Sequence, residues 1–254
     1  MILDEIAAST RKALARRKAA TSPADMRAMA RDALRPRPFV LKPISIIAEI
    51  KRATPRFPQL APTLDPAAQA RAYAGGGAAA LSVLTDEPFF KTTLEDLGIA
   101  RDAVALPVLR KEFVIDDYQI WETRARGADA LLLIVRLLER GRLSDSLGLC
   151  AELGLAALVE AHTARELESA LDAGARLVGV NNRNLDTFKT DLKTSILLRP
   201  LVPEGVVTVS ESGIERHEDM VMLREAGFHA ALIGESLIRA RDPAAKLKEL
   251  LHGD

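Results

Sequence analysis

Five ionisable side chains in this 254-residue chain stand where they could exchange protons. Glu49 and Lys51 lie two residues apart in AEIK (48–51), so an extended backbone points both the same way. Lys111 closes PVLRK (107–111), Glu160 sits near the end of ALVEA (157–161), and Glu211 closes VVTVSE (206–211). Asn181, at the end of LVGVN (177–181), and Ser212 add neutral hydrogen-bonding groups. Two ammonium groups beside three carboxylates suit general acid–base chemistry, the ammonium giving a proton and a carboxylate taking one. Plain ion pairing, Glu49 with Lys51 and Lys111 with Glu160, would account for any one of these residues. It accounts poorly for the set, because converging five ionisable groups is costly unless they pair or work. His162, His217, His229 and His252 lack metal-ligand spacing, so no metal is expected. His162 follows Glu160 closely enough to touch it, or to serve a loop or helix cap.

Two further stretches bear on phosphate. SESGI (210–214) and IGESLI (233–238) place Ser212, Gly213, Gly234 and Ser236 just after two apolar runs. Barrel enzymes often hold phosphate on backbone amides after their last two strands. Either stretch alone is weak, since a glycine after a strand can be only a turn; together they predict a phosphorylated substrate. Glu235 would then lend its N–H and turn its carboxylate away.

The elements that must position these residues are eight short apolar runs. They are IIAEIK (46–51), ALSVL (80–84), PVLRK, ALLLIV (130–135), ALVEA, LVGVN, VVTVSE and AALIG (230–234), separated by about one crossover helix each. Eight such units predict an α/β fold, a (β/α)8 TIM barrel, with residues 1–45 as an N-terminal helical extension and 46–254 as the barrel. Barrel enzymes place their chemistry at the C-terminal ends of the strands, which is where the residues above fall. Alternation puts Leu109 with Lys111, Leu158 with Glu160, and Val209 with Glu211, an apolar residue below each polar one. Gly77, Gly127, Gly154, Gly174 and Gly227 each precede a run by three residues and read as helix C′ glycines, not phosphate binders. Asp65-Pro66 and Asp242-Pro243 mark helix starts, and Thr163 with Glu166 predicts a capping box. In the extension Leu3, Ile6 and Leu14 form an apolar stripe, with RKALARRK (11–18) as a solvated face. A second helix from Ser22-Pro23 would bury Met26, Met29 and Ala33.

Composition narrows the classes. Hydrophobic residues make up 48% and aromatics only 4%, so the core must be aliphatic, as suits a sheet covered by helices. Basic and acidic residues number 35 each, which gives no support to nucleic acid or an anionic membrane as partner. Cys150 is the single cysteine, pointing to a reducing cytoplasm. MILDEIAASTRK carries acids where a signal peptide needs a basic segment, and ALLLIV is too short to span a bilayer.

The strings AEIKRA (48–53), LSVLTDEPFF (81–90), LPVLRKEF (106–113), LVEAH (158–162), GVNNRNL (179–185), VSESGI (209–214) and IGESL (233–237) resemble the indole-3-glycerol phosphate synthase family of tryptophan biosynthesis. They follow the family order over almost the whole chain, and LSVLTDEPFF and NNRNL are the specific ones. The resemblance implies ring closure of 1-(2-carboxyphenylamino)-1-deoxyribulose 5-phosphate to indole-3-glycerol phosphate, with loss of carbon dioxide and water. No cofactor is implied, and family precedent leans towards a monomer. Lys111 would be the general acid at the substrate carbonyl, with Glu160 and Asn181 beside it to stabilise or relay protons. Lys51 and Glu49 would serve the dehydration, and Lys51 could also hold a substrate anion. Glu211, Ser212 and Arg183 would orient the substrate, Phe90 or Phe89 and Phe113 would pack on its ring, and Thr54 and Pro55 would face it from the first loop. Gly213, Gly234, Glu235 and Ser236 would hold its phosphate.

Three departures from the family pattern stand out. The first loop reads Thr54-Pro55-Arg56-Phe57-Pro58-Gln59 where the family shows serine-proline-serine with a nearby glycine. Thr92-Thr93 replaces glycine-serine, and Lys189-Thr190 replaces an acid-apolar pair. The first two predict a bulkier mouth, and with it an alternative: a diverged or redesigned barrel that binds or converts another ligand and has weak native activity. A different phosphosugar enzyme, such as an isomerase or a Schiff-base aldolase using Lys111, is a third reading.

Overall fold

The computed structural model describes residues 2–184, 187 and 189–253. Two helices, α1 (Ile2–Ala20) and α2 (Pro23–Asp32), precede β1 (Ser45–Ile50). The chain then runs α3 (Pro66–Gly75), β2 (Ala80–Leu84), α4 (Glu87–Phe90), α5 (Leu94–Ala103), β3 (Val108–Lys111), α6 (Asp117–Ala125), β4 (Ala130–Ile134) and α7 (Arg140–Glu152). It continues through β5 (Ala156–Ala161), α8 (Ala164–Asp172), β6 (Leu177–Asn181), α9 (Lys193–Leu198), β7 (Val207–Glu211), α10 (His217–Glu225), β8 (Ala230–Ile233), α11 (Glu235–Arg239) and α12 (Pro243–His252). The strands are all parallel and close in sequence order, β8 pairing back to β1. The predicted (β/α)8 barrel is therefore borne out.

The period of two in each strand builds two cores. Ile47, Leu109, Leu132, Leu158, Val209 and Leu232 point inward and fill the barrel. Their neighbours Ile46, Leu131, Val159, Val178 and Ala231 point outward beneath the helices. Each fully buried aliphatic side chain contributes roughly 1.5–3 kcal/mol, so both faces select apolar residues. Two residues beyond Ile47, Leu109, Leu158 and Val209, the same inward face presents Glu49, Lys111, Glu160 and Glu211. The five predicted C′ glycines all take positive φ, from 70° at Gly154 to 95° at Gly174. Asp65 and Asp242 cap their helices as predicted, each with proline in the first turn.

Several local expectations fail for identifiable reasons. Met26 is buried against Leu14 and Tyr118, but Met29 is 43% exposed and Ala33 is the C-cap; Ala30 takes the buried place. The Thr163 hydroxyl accepts from the Glu166 N–H at 3.2 Å, yet Glu166 turns its carboxylate to the His162 N–H at 2.8 Å, so the box is half made. Arg17 leaves the solvated face of α1 and reaches Glu122 at 3.4 Å and Glu112 at 3.9 Å. Those two carboxylates also hold Arg110, which is fully buried on the outer face of β3. Its guanidinium donates to Thr85, Gln119, Thr123, Glu112 and Glu122 at 2.8–3.2 Å.

Candidate active site

The strand ends bring the predicted acid–base residues together. Lys111 Nζ lies 3.1 Å from Glu160 Oε2 and 3.4 Å from Glu211 Oε2. Across the mouth Lys51, just past β1, is hydrogen-bonded to Glu49. Burial works against the Lys111 charge, but Glu160, Glu211 and Glu49 outweigh it and raise the pKa above that of an ordinary lysine. For Glu160, burial is overcome by Lys111 and His162 together with hydrogen bonds from Lys111 and Asn181, so its carboxyl is held well below the usual range. For Glu211 burial wins despite Lys111, and the charges of Glu160 and Glu49 add to the rise. Two carboxyls flanking one ammonium are thus driven to opposite protonation states, the arrangement that separates an acid from a base. Glu49 stays ionised because Lys51, Lys111 and Arg183 overcome its burial. His162 does touch the set, with Nε2 3.4 Å from Glu160 Oε1.

An apolar crevice of about 130 Å³ opens beside Lys111 and Glu160. Phe90 and Phe113 line it with ring centroids 6.1 Å apart and planes tilted by 31°. Thr54 and Pro55 reach it from the first loop, as expected, and Phe89 does not line it. Leu3 and Ile6 of α1 also face this crevice, so the predicted apolar stripe forms part of the mouth. Phe90 is fixed from β1, its carbonyl accepting the N–H of Arg52 at 3.2 Å and of Ala53 at 3.0 Å. Arg52 in turn grips Asp96 through two hydrogen bonds of 2.6 and 2.8 Å. Thr92-Thr93, expected to crowd the mouth, does not reach either mouth cavity. Thr92 is buried, and Thr93 caps α5 with Asp96.

A second, polar cavity of about 610 Å³ lies over β7 and β8. Ser212 and Gly213 line it in successive left-handed conformations, φ 69° and 81°. Such consecutive turns of backbone present N–H groups to one side, a shape that suits an anion. Ser236 Oγ donates to the Ile214 carbonyl at 3.0 Å and ties the two loops together. A Cβ on Gly234 would stand 2.5 Å from Glu49 Oε1, so this glycine makes room for the Glu49 carboxylate as well as lining the cavity. The carboxylate of Glu235 turns to Arg183 at 3.4 Å and Arg239 at 3.1 Å. Arg183 also donates its backbone N–H to Asn181 Oδ1 at 3.0 Å. Leu185, the last residue of GVNNRNL, lies outside the described residues.

Two positioning residues went unread in the sequence. Buried Asn182 donates to Ser210 Oγ and to the Ser212 carbonyl, both at 3.0 Å, and accepts the Ser195 N–H at 3.0 Å. It therefore anchors the left-handed Ser212. Gly179 lies against Glu211, whose Oε1 would be 2.1 Å from a Cβ at that position. The repeated asparagines of NNRN were a signal for the first; nothing in the spacing marked the second.

The chain is similar to proteins of one known family. The family model described as indole-3-glycerol phosphate synthase matches residues 3–250. The chain is 48% identical over 258 residues to the indole-3-glycerol phosphate synthase of Desulfosudis oleivorans, covering 98% of each chain. It is 46% identical over 259 residues to that of Kineococcus radiotolerans, covering 98% of this chain and 94% of the relative. Among solved structures, a thiamine phosphate pyrophosphorylase from Pyrococcus furiosus superposes with TM-score 0.61 at 15% identity, over 82% of this chain and 93% of that one. That likeness is one of fold alone.

Proposed function

The chain belongs to the indole-3-glycerol phosphate synthase family, and from that premise we propose how its mouth performs the reaction. The enzyme is a decarboxylating carbon–carbon lyase of tryptophan biosynthesis. Its substrate, 1-(2-carboxyphenylamino)-1-deoxyribulose 5-phosphate, lays its aromatic ring between Phe90 and Phe113 and its phosphate on the amides around Gly213, Gly234, Glu235 and Ser236. Ser212, Arg183, Thr54 and Pro55 hold the chain between these ends.

The ring carbon bearing the carboxylate attacks the ribulose carbonyl carbon. The carbonyl oxygen, becoming an alkoxide, takes a proton from Lys111. Raising the Lys111 pKa keeps it an ammonium in the resting enzyme, and an alkoxide is basic enough to accept that proton. Carbon dioxide then leaves, returning its bonding electrons to the ring. The new hydroxyl departs as water with a proton from Lys51, while ionised Glu49 takes up the proton released as the double bond forms. Glu160, with Asn181 beside it, stabilises positive charge near the anilino nitrogen, and Glu211 orients the substrate and can return a proton to Lys111. The observation that carries this reading is Lys111 Nζ within 3.4 Å of both Glu160 and Glu211. Glu160→Gln tests it: kcat should fall while KM changes little, whereas a pure KM effect would make Glu160 a binding group.

A second reading concerns rate. Thr54 and Phe57 exchange two backbone hydrogen bonds of 3.0 Å, and the Phe57 ring carries the Arg239 guanidinium 4.3 Å from its centroid. Both hold the first loop in place, which supports slow closure or release and a weaker native turnover. The same proposal takes the enzyme as a cytoplasmic monomer without nucleic-acid or membrane partners. Its balanced 35 basic and 35 acidic residues support the lack of nucleic-acid and anionic-membrane partners, and light scattering of the purified protein tests the monomer.

A further inference from the structure

The cationic groups of the mouth are not all committed. Lys51 is bonded to Glu49, Lys111 to Glu160 and Glu211, and Arg183 to Glu235. Two others line the same 610 Å³ cavity without a carboxylate partner among the described residues: Arg56, from the loop after β1, and Lys189, from the loop after β6. They enter from opposite sides of the Ser212–Gly213 turn. Lys189 is placed by its backbone, which accepts the Asn184 N–H at 2.9 Å, and by the bridge between its neighbour Thr190 and Arg183. Thr190 packs its methyl against Gly213, where a Cβ would come within 2.5 Å. Arg56 is held beside the cavity by the closed Thr54–Phe57 turn and lies 5.2 Å from the Phe57 ring centroid.

The charge balance of the cavity depends on these two. Without them, Lys51, Lys111 and Arg183 would face the three lining carboxylates of Glu49, Glu215 and Glu235, since burial keeps Glu211 protonated. A phosphate ester that also carries a carboxylate would then meet a wall with no net positive charge. With Arg56 and Lys189 the cations outnumber the ionised carboxylates, five to three. Uncommitted cations at a concave mouth attract an anionic substrate and raise its rate of capture, an effect that salt weakens.

We propose that Arg56 and Lys189 form a two-sided cationic grip on the substrate's phosphate, a specificity-determining pair that the amides of the loops after β7 and β8 do not replace. The proposal rests on the reading that this cavity takes a phosphomonoester. Among the described residues neither forms an ion pair or hydrogen bond with the acid–base set, so the pair acts on binding and capture more than on the chemical step.

The test uses the full chain and the variants Arg56→Gln, Lys189→Gln and their combination, with circular dichroism and thermal melting to establish folding. Inorganic phosphate binding is measured by calorimetry, and kcat and KM are measured with the phosphorylated substrate at several ionic strengths. The double variant should bind phosphate about tenfold more weakly and raise KM by a similar factor, with a smaller change in kcat. Its kcat/KM should also depend less steeply on ionic strength. Folded variants with unchanged phosphate affinity, KM and salt dependence would overturn the grip. If the parent chain made no indole product but phosphate affinity still fell in the double variant, the grip would stand and the synthase reading would fail.

Discussion

Gly179→Ala is a one-methyl change, yet it should disable the site. The added Cβ would lie 2.1 Å from Glu211 Oε1, 3.2 Å from Glu211 Cδ and 3.3 Å from Leu158 Cδ1. To regain ordinary contact the Glu211 carboxylate must retreat by about 1 Å. It has little room, since Leu158 packs below it and Lys111 stands 3.4 Å away. A displacement of that size costs on the order of 10² in rate, and forcing a methyl into a filled barrel costs about 1–3 kcal/mol of stability. The product's indole fluorescence gives kcat and KM, and denaturant titration gives stability. In a Glu211→Ala background the clash is gone, so adding Gly179→Ala should cost little more, a coupling of about 1 kcal/mol or greater. Unchanged kcat and stability in the single variant, or additive losses in the double, would refute the reasoning.

Other outcomes follow from the same geometry. Arg110→Met leaves buried Glu112 and Glu122 with Arg17 as their remaining cationic partner among the described residues, and should cost about 3–5 kcal/mol; an unshifted denaturation midpoint would contradict this. Burial lifts Asp86 to about 6, against a hydrogen bond from the Phe89 N–H and with help from Glu112. Folding therefore favours its protonated form, and stability is lost as the pH rises through 6. Asp86→Asn should raise the melting temperature above that pH, by about 1 kcal/mol of stability, and leave it unchanged below the ordinary value of 3.8. Phe57→Lys with Pro58→Gly removes the ring under Arg239 and one fixed φ, and should raise kcat severalfold; an unchanged kcat would show that the held loop does not limit turnover.

Much of this architecture was legible because parallel barrel strands are buried on both faces and read as apolar runs. The polar residue closing a run then stands out, which is how Lys111, Asn181 and Glu211 could be found. Glycines before five of the eight strands were equally plain, since the left-handed helix end favours them. What could not be read depends on partners distant in sequence. Arg110 meets Glu122 and Arg52 meets Asp96 only once helices pack on the barrel, and the direction in which Glu235 turns is decided by Arg183 and Arg239. Met29 has the right spacing to be buried, but α2 packs against α6 with Ala30 buried instead. Thr92-Thr93 follows the double phenylalanine, yet the chain turns at Lys91, with φ 58°, and carries both threonines away from the mouth.

In the proposed mechanism Lys111 is the acid that starts ring closure, held as an ammonium by the carboxyl groups around it. Lys111→Ala tests it most directly, with its fold checked by circular dichroism and its turnover of the anthranilate-derived ribulose phosphate followed by indole fluorescence. The variant should fold, with kcat reduced by a factor on the order of 10²–10⁴ relative to the parent. A folded variant retaining near-parental turnover would contradict it.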